Sequence, residues 1–96
     1  MQPHIVLKPG PVTVVDVGSA AVPLETPDTE SVAAIIVVEN ADVRMRWDGE
    51  DPTATVGQIM KADSVWEVTG RDLLVNMRFI AESSAAKVTC SEIKGY

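Results

Sequence analysis

The chain has 96 residues, which is enough for one compact domain with a modest hydrophobic core. Its formal net charge is −6 and it has only 8 lysines and arginines, which argues against binding to nucleic acid or anionic membranes, since both need clustered cations. The single cysteine, Cys90, excludes an internal disulfide and predicts a reducing compartment. We also expect neither a secretion signal nor a membrane span, because the chain shows no signal-peptide pattern and no long apolar run.

Residues 1–11 are predicted to form an extended N-terminal arm. Prolines at positions 3, 9 and 11 surround a short apolar piece, and proline cannot donate to a β-ladder. Such an arm either packs against a neighbouring subunit or adds to the chain's own sheet, and the sequence leaves both open. Residues 12–96 are predicted to form a single domain.

The first part of that domain is predicted to contain two strands separated by a long connection. Residues 12–17 have the composition of a strand, and the proline-containing stretch 18–31 is typical of an irregular connection. Val22 and Leu24 are expected to pack beneath this connection. Residues 32–38 are a continuous apolar run, which predicts a central strand covered on both faces.

A strictly alternating strand follows at residues 42–47, after a tight turn at Asn40 and Ala41. Its side chains form an apolar set of Val43, Met45 and Trp47 and a polar set of Arg44, Arg46 and Asp48. Asp48 and Gly49 tolerate the positive φ of a hairpin turn, and Pro52 prevents the strand from simply continuing. This strand is therefore predicted to turn back on itself.

Further strands are predicted at residues 56–60, 64–69, 73–81 and 85–93. The third of these also fits a helix with Asp72 as its N-cap, but the alternation of Val75, Met77 and Phe79 favours a strand. About seven or eight short strands without a firmly predicted helix indicate an all-β fold. We expect an antiparallel β-sandwich or jelly-roll-like barrel.

A possible cation site is the acidic loop with Asp48, Glu50 and Asp51, because Ca²⁺ prefers carboxylate oxygens. The twelfth position from Asp48 is Ile59, which cannot supply the bidentate carboxylate of an EF-hand. These three residues are therefore weak metal candidates, and an acidic hairpin loop is the favoured interpretation. We predict no cofactor.

Catalytic motifs are not apparent. His4 is the only histidine and is far in sequence from Cys90, which lies on the apolar side of a predicted strand. Ser83 and Ser84 are not in a nucleophile elbow and have no second histidine to act as a base. The sequence thus predicts a protein that is not an enzyme.

The two tryptophans, Trp47 and Trp66, have two interpretations. Both share strand faces with apolar residues, which favours the core or a subunit interface, but an exposed sugar-stacking platform is the alternative. Arg44 and Arg46 are expected to pair with carboxylates, including across a subunit boundary.

Several segments, taken in order, resemble a group of small structural proteins encoded by tailed bacteriophages. They are VTVVDVGSAAVPL, VVENADVRMRW, DGEDPTATVG, the run ending at Thr69 and Gly70, and FIAESSAAKVTCSEI. The chain departs from that pattern at KADSVWEVTG, where a glycine is common.

The resemblance implies a β-rich virion component present in many copies. A capsid decoration or cement protein that stabilises the head is the first expectation, and a head-to-tail or fibre-base accessory protein is the second. It implies a homo-oligomer, with a trimer favoured, that contacts the major capsid protein or other virion proteins after assembly in the host cytoplasm. Candidate interface residues are His4, Ile5, Val6, Leu7, Arg44, Arg46, Trp47 and Trp66. The competing function is a free carbohydrate- or ligand-binding β-sandwich.

Overall fold

Two four-stranded antiparallel sheets form a β-sandwich in the computed structural model, which describes residues 7–24 and 27–95. The elements are β1 Leu7–Val17, β2 Val22–Pro23, β3 Ser31–Glu39, β4 Val43–Arg46, β5 Gln58–Met60, β6 Val65–Thr69, α1 Arg71–Asn76, β7 Arg78–Ala81 and β8 Ala86–Gly95. The first sheet has the order β1-β8-β3-β6 and the second has the order β2-β7-β4-β5. The predicted all-β sandwich is confirmed.

The core lies between the two sheets and follows the period of two that alternating strands impose. Ile36 and Val88 of the first sheet and Val43, Met45 and Phe79 of the second are at most 2% exposed. The core also holds two further methionines, Met60 and Met77, both 0% exposed. With only one phenylalanine in the chain, these flexible thioethers supply volume that the many valines cannot.

Strand β3 is central, as predicted, because it lies between β8 and β6. Its burial on both faces was predicted wrongly. Ala34, Ile36 and Val38 are buried against the core, whereas Ala33, Ile35 and Val37 on the opposite face are only half-buried. In the described part of the chain, this apolar run is therefore fully buried on one face and only half-buried on the other.

The strand predicted for residues 73–81 is also wrong in its first half. The structure has helix α1 at Arg71–Asn76, and β7 begins only at Arg78. Leu74 is 1% exposed, so the short helix contributes a core side chain between the two sheets. Alternation holds only from Met77, where the backbone becomes extended and Met77, Phe79 and Ala81 point inward.

The predicted arm is only partly described. Residues 1–6, including the interface candidates His4, Ile5 and Val6, lie outside the described residues. Leu7–Val17 is one strand whose first residues already pair with β8, as Leu7 lies opposite Gly95. Residues 7–11 therefore belong to the sandwich, and the predicted boundary after residue 11 does not separate them from it. A register shift between Pro9 and Val12 accommodates the prolines on this edge strand.

The connection between β1 and β3 behaves as the sequence predicts. In residues 18–24 and 27–30 its one regular element is the two-residue strand β2, and Leu24 is buried while Val22 packs against the core. The turn at Asn40 and the one at Gly49 have positive φ angles of 77° and 82°. Both turns were predicted from residues that tolerate this conformation.

Candidate functional site

The loop after β4 is held against the outer face of the second sheet by Arg44. Its Nε donates to the carbonyl of Ala54 at 2.9 Å, and its Nη1 donates to the carbonyl of Gly57 at 3.0 Å. Its Nη2 also lies 3.5 Å from Glu82 Oε1. Arg44 thus pairs with three acceptors of its own chain, and its role at a subunit interface stays a prediction.

The acidic loop also supplies carboxylates to two arginines that lie opposite each other in the second sheet. Arg46 and Arg78 lie directly opposite each other on β4 and β7, where like charges are destabilising. Asp48 accepts from Arg46 through both oxygens, at 3.0 and 2.5 Å, and Asp51 lies 3.9 Å from Arg78 Nε. Hydrogen bonding to Arg46 holds the pKa of the Asp48 carboxyl below its ordinary value of 3.8.

These ion pairs bear on the weak metal candidates Asp48, Glu50 and Asp51. Two of the three carboxylates face arginines, and the backbone amide of Glu50 donates to Asp48 Oδ1 at 3.3 Å. Within residues 7–24 and 27–95, no group of three or more acidic, histidine or cysteine side chains could hold a metal ion. Asp48 and Asp51 are thus engaged by arginines within the acidic hairpin loop.

Trp47 is 51% exposed, so it is not in the core, and its placement at a subunit interface stays a prediction. Strand β4 ends at Arg46, and the side chain beyond it no longer follows the inward alternation of Val43 and Met45. A cleft of about 220 Å³ lies beside the indole, and it is lined by Met45, Arg46, Trp47, Asp48, Gly57 and Gln58. We call this the Trp47 cleft.

Trp66 has a different setting, on β6 of the first sheet. It is half-buried and packs against the core, and its Nε1 donates to Ser64 Oγ at 2.8 Å. Core packing is thus the correct interpretation for Trp66. The two tryptophans belong to different sheets, so the structure does not combine them into one platform.

The outer face of the first sheet carries an exposed apolar surface, which we call the valine face. It consists of Val12, Val14, Ile35, Val37 and Val65. Register places one row across all four strands, with Val14 opposite Thr89, Thr89 opposite Val37, and Val37 opposite Val65. Val12 and Val65 are each 64% exposed and Val14 is 54% exposed.

Exposed apolar side chains are concentrated on this sheet. Of the eight large ones in the described part of the chain, five lie on strands of the first sheet: Leu7, Val12, Val14, Val32 and Val65. Single exposed apolar residues are ordinary, but a contiguous group marks an interaction surface. Sequence reasoning missed this face, because it assumed that the apolar run in β3 was covered on both sides.

Sequence reasoning also missed a buried polar cluster at one end of the sandwich. Glu92 is 5% exposed, and its Oε1 accepts from Ser31 Oγ at 2.6 Å and from the amide of Asp28 at 2.9 Å. The signal was present in the sequence, because Glu92 continues the inward period of Ala86, Val88 and Cys90. The cluster is structural, since it ties the turn before β3 to β8.

A second cleft of about 310 Å³ lies beside the turn between β7 and β8 and includes Ser83 and Ser84. Glu82, on the same turn, is 3.5 Å from Arg44. Neither serine is described next to a base, and the chain's single histidine, His4, lies outside the described residues. The arrangement offers no described nucleophile-base pair.

Cys90 is 1% exposed, and burial raises the pKa of its thiol to about 11, with a contribution from the Glu92 carboxylate. Because the thiolate is the reactive form, we expect a thiol reagent at pH 8 to label the native protein at least about 100-fold more slowly than the denatured protein. The measurement is the absorbance of the released chromophore over time. Equal rates in the two states would contradict the buried placement.

Comparison of the chain with protein-family models, curated proteins and solved structures found no match. In the described residues, no helix combines the length and the apolar character that a membrane crossing requires.

Proposed function

We propose that this chain is a non-enzymatic structural protein of a tailed-bacteriophage virion, and that it acts as a capsid decoration or cement protein. The valine face is the observation that carries the proposal. It offers a broad apolar surface for a protein partner, and decoration of a head is a function of contact and not of catalysis. The order of sequence segments shared with phage structural proteins supports the same class. The protein assembles in the host cytoplasm and functions in the virion.

The charge distribution supports a protein partner over nucleic acid. The chain carries a net charge of −6, and three of its arginines, Arg44, Arg46 and Arg78, are engaged with carboxylates or carbonyls of the same chain. Cations engaged in this way are poorly placed to contact phosphates. A protein partner, either a second copy of this chain or another virion protein, is the better fit to an apolar face.

The test is binding of the purified protein to heads of the encoding phage that lack it. We expect the protein to sediment with the heads, and immunogold labelling to cover the whole shell. Labelling confined to one vertex would favour the alternative, a head-to-tail or fibre-base accessory protein. Failure to bind heads and tails alike would contradict the proposed virion function.

A second candidate function is carbohydrate binding at the Trp47 cleft, and the exposure of Trp47 is the observation that favours it. An indole face can stack on a sugar ring, and the Arg46–Asp48 pair and Gln58 provide hydrogen-bonding groups at its edge. Arg44 holds the loop that forms one wall, so the cleft is formed before any ligand arrives.

Tryptophan fluorescence tests the accessibility on which this second function depends. We expect acrylamide to quench one emission component strongly, because Trp47 is exposed and Trp66 is half-buried. In Trp47→Phe the strongly quenched component should disappear, while in the matched control Trp66→Phe it should remain. Titration with hexoses and short oligosaccharides then tests binding, and no spectral change with any sugar would remove carbohydrate binding.

A further inference from the structure

We infer that the valine face is covered by the valine face of a second copy of this chain, so that two first sheets stack around a two-fold axis. The inference deepens the proposed virion function, on which it rests, by naming the first partner of the apolar surface. It concerns a pairwise contact, whereas the sequence resemblance favoured a trimer.

The area of the sheet is sufficient for such a pair. Strand β8 has 10 residues, and at about 3.3 Å per residue it is about 33 Å long. Four strands at a spacing of about 4.8 Å span about 19 Å. Allowing for the shorter β6, each copy would cover about 500–600 Å². The pair would bury about 1,000–1,200 Å², which reaches the lower end of specific interfaces.

The distribution of side chains fits an interface with an apolar centre and a polar rim. The row formed by Val14, Thr89, Val37 and Val65 crosses the sheet, whereas Asp16, Lys87 and Glu39 form a row of charges nearer one end. One further charge of this face, Glu67, lies opposite Ile35 on the edge strand β6. A two-fold axis that lies between the two sheets and runs across the strands would place the charged rows of the two copies at opposite ends. The centre would then be dry and the charges would remain at the rim.

The shape of the sheet favours a second copy as this partner, and the placement of its charges limits the repulsion between two acidic copies. Two copies of the same sheet have the same twist, and sheets of equal twist stack with their strands nearly aligned. Each copy carries a net charge of −6, so the copies approach at lowest cost through a surface whose centre is uncharged. The contact is isologous and closes after two copies.

The test is sedimentation equilibrium of the full chain and of three variants. We expect the wild-type mass to be twice the 10.3 kDa of the monomer. Val14→Asp, on the edge strand β1, places like charges in the apolar row that crosses the sheet, so its dimer dissociation constant should rise at least about 100-fold. Val65→Asp, on the edge strand, provides a second measurement if Val14→Asp does not fold. The matched control is Val56→Asp, because Val56 is 49% exposed but lies in the loop before β5.

Three outcomes would overturn this inference: a wild-type monomer at all concentrations, a trimer, or a dimer that neither Val14→Asp nor Val65→Asp weakens. Circular dichroism shows whether each variant is folded. The head-binding assay separates the two proposals. A monomer that binds heads would contradict the pairing and support the virion function. A dimer that binds neither heads nor tails would support the pairing and contradict the virion function.

Discussion

Replacing Phe79 by alanine is expected to lower the free energy of unfolding by about 3–5 kcal/mol. Phe79 is 0% exposed and lies at the centre of the second sheet, between Val22 of β2 and Met45 of β4. It is the chain's only phenylalanine, so no similar ring can fill the space. Small domains have total stabilities of about 5–15 kcal/mol, so this one change removes a large share.

Urea denaturation followed by circular dichroism measures the Phe79→Ala effect. Each kcal/mol corresponds to a fall of about 4–8 °C in Tm for a domain of this size. Phe79→Leu keeps most of the volume and should cost less. The exposed control Val56→Ala should change stability by less than about 0.5 kcal/mol. Equal losses for Phe79→Ala and Val56→Ala would show that the core does not lie between the two sheets.

The second large effect is expected for Glu92→Ala, which should lower the free energy of unfolding by about 2–4 kcal/mol. The substitution leaves the Ser31 hydroxyl without its acceptor at a site that is 0% exposed, and it also removes the acceptor of the Asp28 amide. An unsatisfied buried donor costs about 1–3 kcal/mol. The result is measured by the same urea denaturation.

A matched set of variants separates the hydrogen bonds of Glu92 from its volume. Glu92→Gln keeps an acceptor oxygen and should lose less stability than Glu92→Ala. In the double variant Ser31→Ala with Glu92→Ala, the buried hydroxyl is gone, so the two losses should not add. Strict additivity of the single losses would mean that the described Ser31–Glu92 bond contributes nothing.

The two surfaces of interest lie on opposite sides of the sandwich. The valine face is the outer side of the first sheet, and the Trp47 cleft lies at the end of β4 in the second sheet. A pair joined through its first sheets would therefore expose both second sheets. Pairing would leave both Trp47 clefts open to a capsid protein or a sugar, so the two proposed roles do not compete for one surface.

Each strand prediction was correct only as far as the alternation of apolar and polar residues extended. Residues 42–47 alternate strictly, and β4 was found within that range with Val43 and Met45 inward. In residues 73–81 the prediction started the alternation at residue 73, although Leu73 and Leu74 also fit a helix and the alternation begins only at Met77. The contact of Leu74 with the core selected the helix, and an alternating pattern alone does not contain that information.

Candidate site residues were predicted less well than strands, for a physical reason. Trp47 was assigned to the core or a subunit interface because it shares a period with Met45, but the period ends where β4 ends at Arg46. The acidic residues of the next loop suggested a cation. In the structure, Arg46 and Arg78 face each other across two strands and attract those carboxylates. A pairing between residues 32 positions apart cannot be derived from local spacing.

The sequence by itself determined the all-β class, the sandwich and the inward residues of β4 and β8, because alternation and turn residues act over a few positions. Only the tertiary structure decided which outer faces are covered. Strand order places the half-buried side of β3 beside the exposed valine of β6 and, across β8, on the same face as the exposed valines of β1. The acidic loop covers part of the second sheet through Arg44. Exposure of a face depends on what the rest of the chain brings to it, and so the valine face becomes visible only when the sheets are assembled.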